Sequence, residues 1–144
     1  MRIYLLHHAD ALGPSVDPQR PLSAEGRAHA EQLAGRARER RCAPAAIWHS
    51  GKLRARQTAE PFWRICAPFA EFKMVRGLGP DDPPDVIQLA ILKETRDLLL
   101  AGHIPNLTAL LQRFVGDSAQ FPMHGIVALE TTDGGATWRE SWRE

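Results

Sequence analysis

Histidines cluster at the ends of apolar runs in this chain. His7 and His8 stand side by side after "RIYLL", and His103 closes "DLLLAG". Between them, "HSGKLRARQTAE" places Ser50 and Arg54 just behind a third apolar stretch. An imidazole can serve as a nucleophile, a proton carrier or a metal ligand near neutral pH. A guanidinium never loses its charge and offers a fork of donors that matches phosphate. A phosphoryl group attacked in line needs its three equatorial oxygens held by positive or donating groups. His8 as attacker, with Arg54 and His103 as clamps, meets that demand. Metal binding is the competing use of several histidines. No HxxxH or HExxH spacing occurs, and Cys42 and Cys66 lie outside these motifs, so neither a metal nor another cofactor is expected.

These residues act together only if the fold gathers them. Residues 2–7 read as a first strand, 45–48 as a second, 71–75 as a third, and "RDLLLAGH" as a fourth running into a turn. Helical patterns separate them: one capped by Ser23 from Ala24, one after Ser50 with Ser50 as its cap, one over 84–94, and "IPNLTALLQRFV" closed by Gly116. Pro61 interrupts or kinks the second helix, and Gly26 weakens the first turn of the first. "GIVALETTDGGATWRESW" reads as two strands about a turn, with its tryptophans on one packed face of an edge strand. Alternating strands and helices predict an α/β/α sandwich with a mostly parallel sheet and a C-terminal hairpin, over residues 1–144 as one domain. In such sheets ligands sit beyond the carboxyl ends of the strands. That rule gathers His7, His8, His49, Ser50, Arg54, Asp81, Asp82, Gly102 and His103 at one edge. No catalytic part is expected of His29, His49 or His124, although His49 stands next to Ser50. Side chains alternate along a strand, so His7 and His8 need not share one face.

The whole-chain totals bound the function. With 144 residues, 44% hydrophobic and 24% charged, the chain suits a packed core rather than disorder. A net charge of +1 offers no global attraction to nucleic acid or to a membrane surface. No apolar run approaches the ~20 residues a bilayer span needs. "MRIYLLHHAD" reads as a strand rather than a signal peptide, and the two cysteines read as unpaired thiols. Both suggest a cytoplasmic setting.

"LLHHADA", "HSGKLRARQTAE" and "LLLAGHIPNL" resemble, in order, three motifs of the histidine phosphatase superfamily. The short length and "RPLSAEG" resemble its SixA-like phosphohistidine phosphatase branch. The resemblance implies a phosphoglycerate mutase-like fold and a phosphohistidine intermediate on His8. It also implies phosphate binding by Arg54, donation by His103 and Ser50 at the pocket edge. The substrate implied is a phosphorylated protein or a small phosphorylated molecule. One position departs from the pattern: His7 stands where the family has an arginine. Two expectations follow. His7 works as a pH-dependent imidazolium clamp in an active phosphatase, or the pocket is short of charge and the protein binds phosphate with little or no turnover. Asp81 and Asp82 fall where larger enzymes of the superfamily place an acid, and a solvated turn accounts for them equally. A phosphohistidine leaves through a nitrogen that protonates readily, so it asks less of a carboxylic acid than an alkyl phosphate does.

Overall fold

The computed structural model describes residues 1–144. Its strands are β1 (Arg2–His7), β2 (Ala46–His49), β3 (Glu71–Met74), β4 (Leu98–Gly102), β5 (Ile126–Glu130) and β6 (Arg139–Arg143). They form one six-stranded sheet in the order β3-β2-β4-β1-β5-β6. The pairs β3–β2, β2–β4 and β4–β1 are parallel; β5 runs antiparallel to β1 and β6 antiparallel to β5. The helices are α1 (Ala24–Glu39), α2 (Leu53–Cys66), α3 (Pro84–Leu92) and α4 (Asn106–Val115).

The apolar runs of β1, β4 and β5 are continuous because both faces of the sheet are covered. Ile3, Leu5, Leu98, Leu100, Val127 and Leu129 pack against Ile87 and Ile91 of α3 and Leu107, Leu110 and Leu111 of α4. Their neighbours Tyr4, Leu6, Leu99, Ala101, Ile126 and Ala128 point the other way. They meet Leu33, Ala34 and Ala37 of α1 and Ala59 and Phe62 of α2. The two-residue period of the strands thus builds two core layers, with about 1.5–3 kcal/mol gained per large side chain buried.

Ser23 caps α1 as the sequence predicts, accepting the Gly26 N–H at 3.0 Å. Gly26 has a stronger reason to be glycine than any helix preference. A Cβ there would lie 2.0 Å from the Asp10 carbonyl oxygen, so only glycine lets the loop after β1 rest on the helix.

Three local expectations change. Ser50 is not the cap of α2; Lys52 holds that position with no side-chain cap bond. Pro61 does not end α2, which runs on to Cys66. Its single missing backbone bond is offset by the burial of Ala59 and Phe62 against the sheet. Trp138 and Trp142 do not share a face: Trp138 packs on Phe114 and Trp142 on Tyr4. A register shift places the extra residue Ser141 between the partners of Ala128 and Leu129, and this bulge reverses the alternation. Cys42 and Cys66 are free thiols, and Cys66 Sγ donates to the Ala34 carbonyl of α1 at 3.4 Å. No helix is long and apolar enough to cross a membrane.

Candidate active site

The register of the central strands sets the site. His7 is level with Gly102 on β4, so the chain leaves both strands side by side. The His8 N–H donates to the Gly102 carbonyl at 3.1 Å. On the other flank of β4, His49 is level with Ala101, and the Ser50 N–H donates to the Ala101 carbonyl at 3.2 Å. Ser50 Oγ then lies 2.7 Å from His103 Nε2. The His8 ring centroid is 4.5 Å from that of His7 and 5.1 Å from that of His103. His7 and His8 therefore do meet, because β1 ends at His7 and the chain turns there.

Buried Thr58 on α2 fixes the loop beyond His8. Its hydroxyl accepts the Ala9 N–H at 2.9 Å and donates to the Arg54 carbonyl at 2.7 Å. One side chain thus ties the residue after His8 to the turn of helix that carries Arg54. Gln57 adds a second tie, accepting the Leu22 N–H at 2.8 Å. Gly51 makes the bend into α2 at φ +91; a Cβ there would meet Met74 Sδ at 2.5 Å.

The hydrogen bonds assign the ring protons. His8 Nδ1 lies 2.7 Å from the Ala9 carbonyl, which can only accept. Nδ1 therefore carries the hydrogen, and Nε2 keeps its lone pair when the ring is neutral. His7 is the reverse. Its Nδ1 accepts the His124 N–H at 2.8 Å, so the neutral ring presents Nε2–H. Burial pushes the His7 pKa down to about 3, reinforced by the neighbouring charges of His8, His124 and Arg54. Burial lowers His8 to about 4, against the bond to Ala9, with Arg54, His124 and Arg20 adding to the drop. Burial and Arg54 take His103 to about 3. Each of these charges is a cation or a histidine; no carboxylate acts on any of the three rings. In the free protein burial therefore favours the neutral form of His7. A buried ring that accepts an amide hydrogen has no room for a second proton of its own.

Two polar atoms of the cluster are buried without a hydrogen-bond partner in the protein: Arg54 Nε and His103 Nδ1. Each such group costs about 1–3 kcal/mol relative to a paired one.

His124 was not singled out by the sequence, and it joins the cluster. Its ring stacks on His7, with centroids 5.0 Å apart and planes within 4° of parallel, and lies 5.9 Å from His8. Its Nδ1 bonds the His8 carbonyl at 2.7 Å. The rule of strand carboxyl ends missed it because β5 is antiparallel to β1. An antiparallel strand brings its leading flank, residues 124–125, to that same edge. The turn residues "PMHG" ahead of a strand that pairs with β1 were the available signal.

His49 lies apart, accepting the Gly51 N–H at Nδ1 and packing on Phe72. His29 sits on α1, near enough to His124 for the charges to interact. Asp81 is exposed. The Asp82 carboxylate accepts the Gly79 N–H at 2.8 Å, and its backbone carbonyl accepts from Asn106 at 2.8 Å. Asp82 does share with Ser50, Met74, Arg76 and Val86 a cleft of about 400 Å³ that opens beside the cluster.

His7, His8 and His124 offer ring nitrogens within 4.8 Å of one another, the spacing of a metal site. The hydrogen bonds argue against that use. His7 Nδ1 is taken by the His124 amide and Nε2 carries the proton, so the neutral ring has no lone pair to give. Arg54 adds a repelling charge. The arrangement suits an anion: a neutral nucleophile, cationic neighbours and unpaired donors.

Residues 6–71 match the family model of the histidine phosphatase superfamily, branch 1. No curated protein sequence matches the chain. An Agrobacterium tumefaciens structure named as a phosphohistidine phosphatase SixA is 27% identical, with 99% of this chain and 96% of that one covered and a TM-score of 0.83. The protein histidine phosphatase SixA complexed with tungstate is 19% identical, with 99% and 96% covered and a TM-score of 0.85. A structure from Nakamurella multipartitia, also named for SixA, is 21% identical over 99% and 94%, with a TM-score of 0.75. Over residues 6–71 the sequence is thus similar to the histidine phosphatase superfamily, and over its whole length the chain shares the fold of the SixA structures.

Proposed function

We propose that the protein is a phosphatase that passes a phosphoryl group from its substrate to His8 and then to water, and that the substrate is phosphohistidine on a protein. The observation that carries this reading is the tautomer of His8. The ring is neutral, its Nδ1–H is held by the Ala9 carbonyl, and its Nε2 lone pair faces a cluster whose other charges are positive.

In the first step His8 Nε2 attacks phosphorus. The new N–P bond forms as the substrate's P–N bond breaks, and the departing imidazole takes up a proton. The Arg54 guanidinium and His103 hold the equatorial oxygens, with His7 Nε2–H as a further donor. Ser50 accepts the Lys52 N–H at 3.3 Å, which frees its hydroxyl hydrogen for His103 Nε2. The His103 proton then sits on Nδ1, the unpaired atom. In the second step water attacks the phosphorylated His8, the N–P bond breaks, and inorganic phosphate leaves with His8 restored. Bonding of His8 Nδ1–H to the Ala9 carbonyl stabilises the ring as charge develops on it.

The site asks for no cofactor. The leaving nitrogen needs little acid, which suits a cluster on which no carboxylate acts. The cleft beside Ser50 admits a protruding side chain. The tungstate-bound relative is named a protein histidine phosphatase, which supports the same substrate class for this chain.

A second reading has its own observation. His7 is uncharged and stands where the family has arginine. That favours a protein that binds phosphate or a phosphoprotein and turns it over poorly. Turnover of a phosphohistidine peptide and of a phosphoserine peptide, by the wild type and His8→Ala, tests the first reading. Phosphohistidine is predicted to be preferred and His8→Ala to be inactive. A silent wild type that still binds phosphate, with turnover appearing only in His7→Arg, supports the second reading.

A further inference from the structure

His124 has no assigned part in this chemistry, yet two hydrogen bonds and a stacking contact fasten it to both His7 and His8. It holds a left-handed backbone at φ +52, which is uncommon for a residue other than glycine. In that conformation its N–H reaches His7 Nδ1 while its ring reaches the His8 carbonyl. The backbone bond turns the Nε2–H of His7 outward. The ring bond uses Nδ1 of His124 and leaves its Nε2 as the open atom. Ring nitrogens of His7, His8 and His124 lie within 4.8 Å of one another. One ring nitrogen from each of His7, His8 and His124 thus sits in a single small cluster, close enough for a phosphoryl group bound at His8 to meet all three rings.

We propose that His124 is a phosphate-binding residue that works as a pair with His7, the neutral His7 ring giving a donor and the His124 ring giving the positive charge. The inference rests on the phosphate reading of the site. Because Nδ1–H of His124 is spent on the His8 carbonyl, its Nε2 can donate to a phosphate oxygen only as an imidazolium. In that form both ring nitrogens donate, Nδ1 to the His8 carbonyl and Nε2 to the anion. The charged and titratable groups around it are His7 from β1, His8 from the loop beyond it, His29 from α1 and Arg54 from α2. Glu144, whose backbone pairs with β5, directs its carboxylate to Arg36 and Arg40. A bound dianion is the partner that stabilises charge on His124.

The test is a double-mutant cycle on wild type, His124→Asn, His7→Arg and the double variant. Asparagine tolerates the left-handed backbone, and thermal melts check that each variant folds. Affinity is read by titrating inorganic phosphate. Sulfate, a second tetrahedral dianion, is titrated alongside. His124→Asn is expected to weaken both anions about 10-fold in the wild type. In the His7→Arg background the same change is expected to cost less than about 2-fold, because the guanidinium already supplies both charge and donor. Unchanged affinity in His124→Asn would overturn the pairing, as would an equal loss in both backgrounds. If the wild type binds neither anion, the phosphate reading itself falls; if it binds and His124→Asn binds as well, only the part given to His124 falls.

Discussion

His7 and His8 are neighbours whose ring nitrogens are held in opposite senses. An amide N–H points at His7 Nδ1, and a carbonyl oxygen points at His8 Nδ1. When neutral, one ring keeps a donor at Nε2 and the other a lone pair there. Replacing His8 by alanine is predicted to lower turnover by about 10³-fold or more, with phosphate binding retained, as measured by kcat and by titration. His7→Arg separates the two functional readings. Loss of one electrostatic clamp costs on the order of 10²–10³ in rate where nothing replaces it. If His7 and His124 together do the work of a guanidinium, His7→Arg raises kcat/KM by less than about 10-fold. A gain of 10²-fold or more would show that the native pocket is short of charge. The placement of His8, Ser50, Arg54 and His103 at one edge of the sheet was legible because each follows a parallel strand. The protonation of His7 was not. It depends on burial by the assembled fold, with the tautomer set by an amide hydrogen from a residue more than a hundred positions away, and no local pattern encodes either.

At the scale of elements, the strands bring the histidines to one edge and α2 holds them there. Thr58 and Gly26 are the joints. Thr58→Val is predicted to leave the Ala9 N–H buried without a partner. The cost is about 1–3 kcal/mol of stability by urea unfolding, with a fall in kcat/KM that Thr58→Ser restores. Gly26→Ala forces a methyl into the Asp10 carbonyl and shifts the loop after β1. A loss of about 1–3 kcal/mol and of activity is expected, where alanine in an open helix would stabilise. The order of strands and helices was plain in the sequence because two periods, two and 3.6, alternate along it. What it concealed were effects of pairing. The antiparallel β5 delivers His124, and the bulge at Ser141 sends Trp138 and Trp142 to opposite faces.

For the whole molecule, the histidine cluster sets a limit on acid stability. His7, His8 and His103 have folded pKa values of about 3, 4 and 3, below the ordinary value of 6.5. The unfolded chain therefore binds protons more readily than the folded one between these limits. The stability from keeping these rings neutral is complete above pH 6.5 and is lost as pH falls toward 3–4. Each differential proton contributes a slope of about 1.4 kcal/mol per pH unit. Urea midpoints measured between pH 7.5 and 4 are predicted to fall steadily below pH 6.5. A flat profile would show the rings to be more hydrated than their burial implies.

The central claim is that His8 carries the phosphoryl group, and trapping it is the direct test. The wild type and His8→Ala would be mixed with a phosphohistidine peptide, quenched in alkali and digested for mass spectrometry. A phosphoryl group on His8, stable to alkali, released by acid and missing from the variant, is the predicted result. Turnover of the peptide with no label on His8, or with the label on another residue, would contradict it.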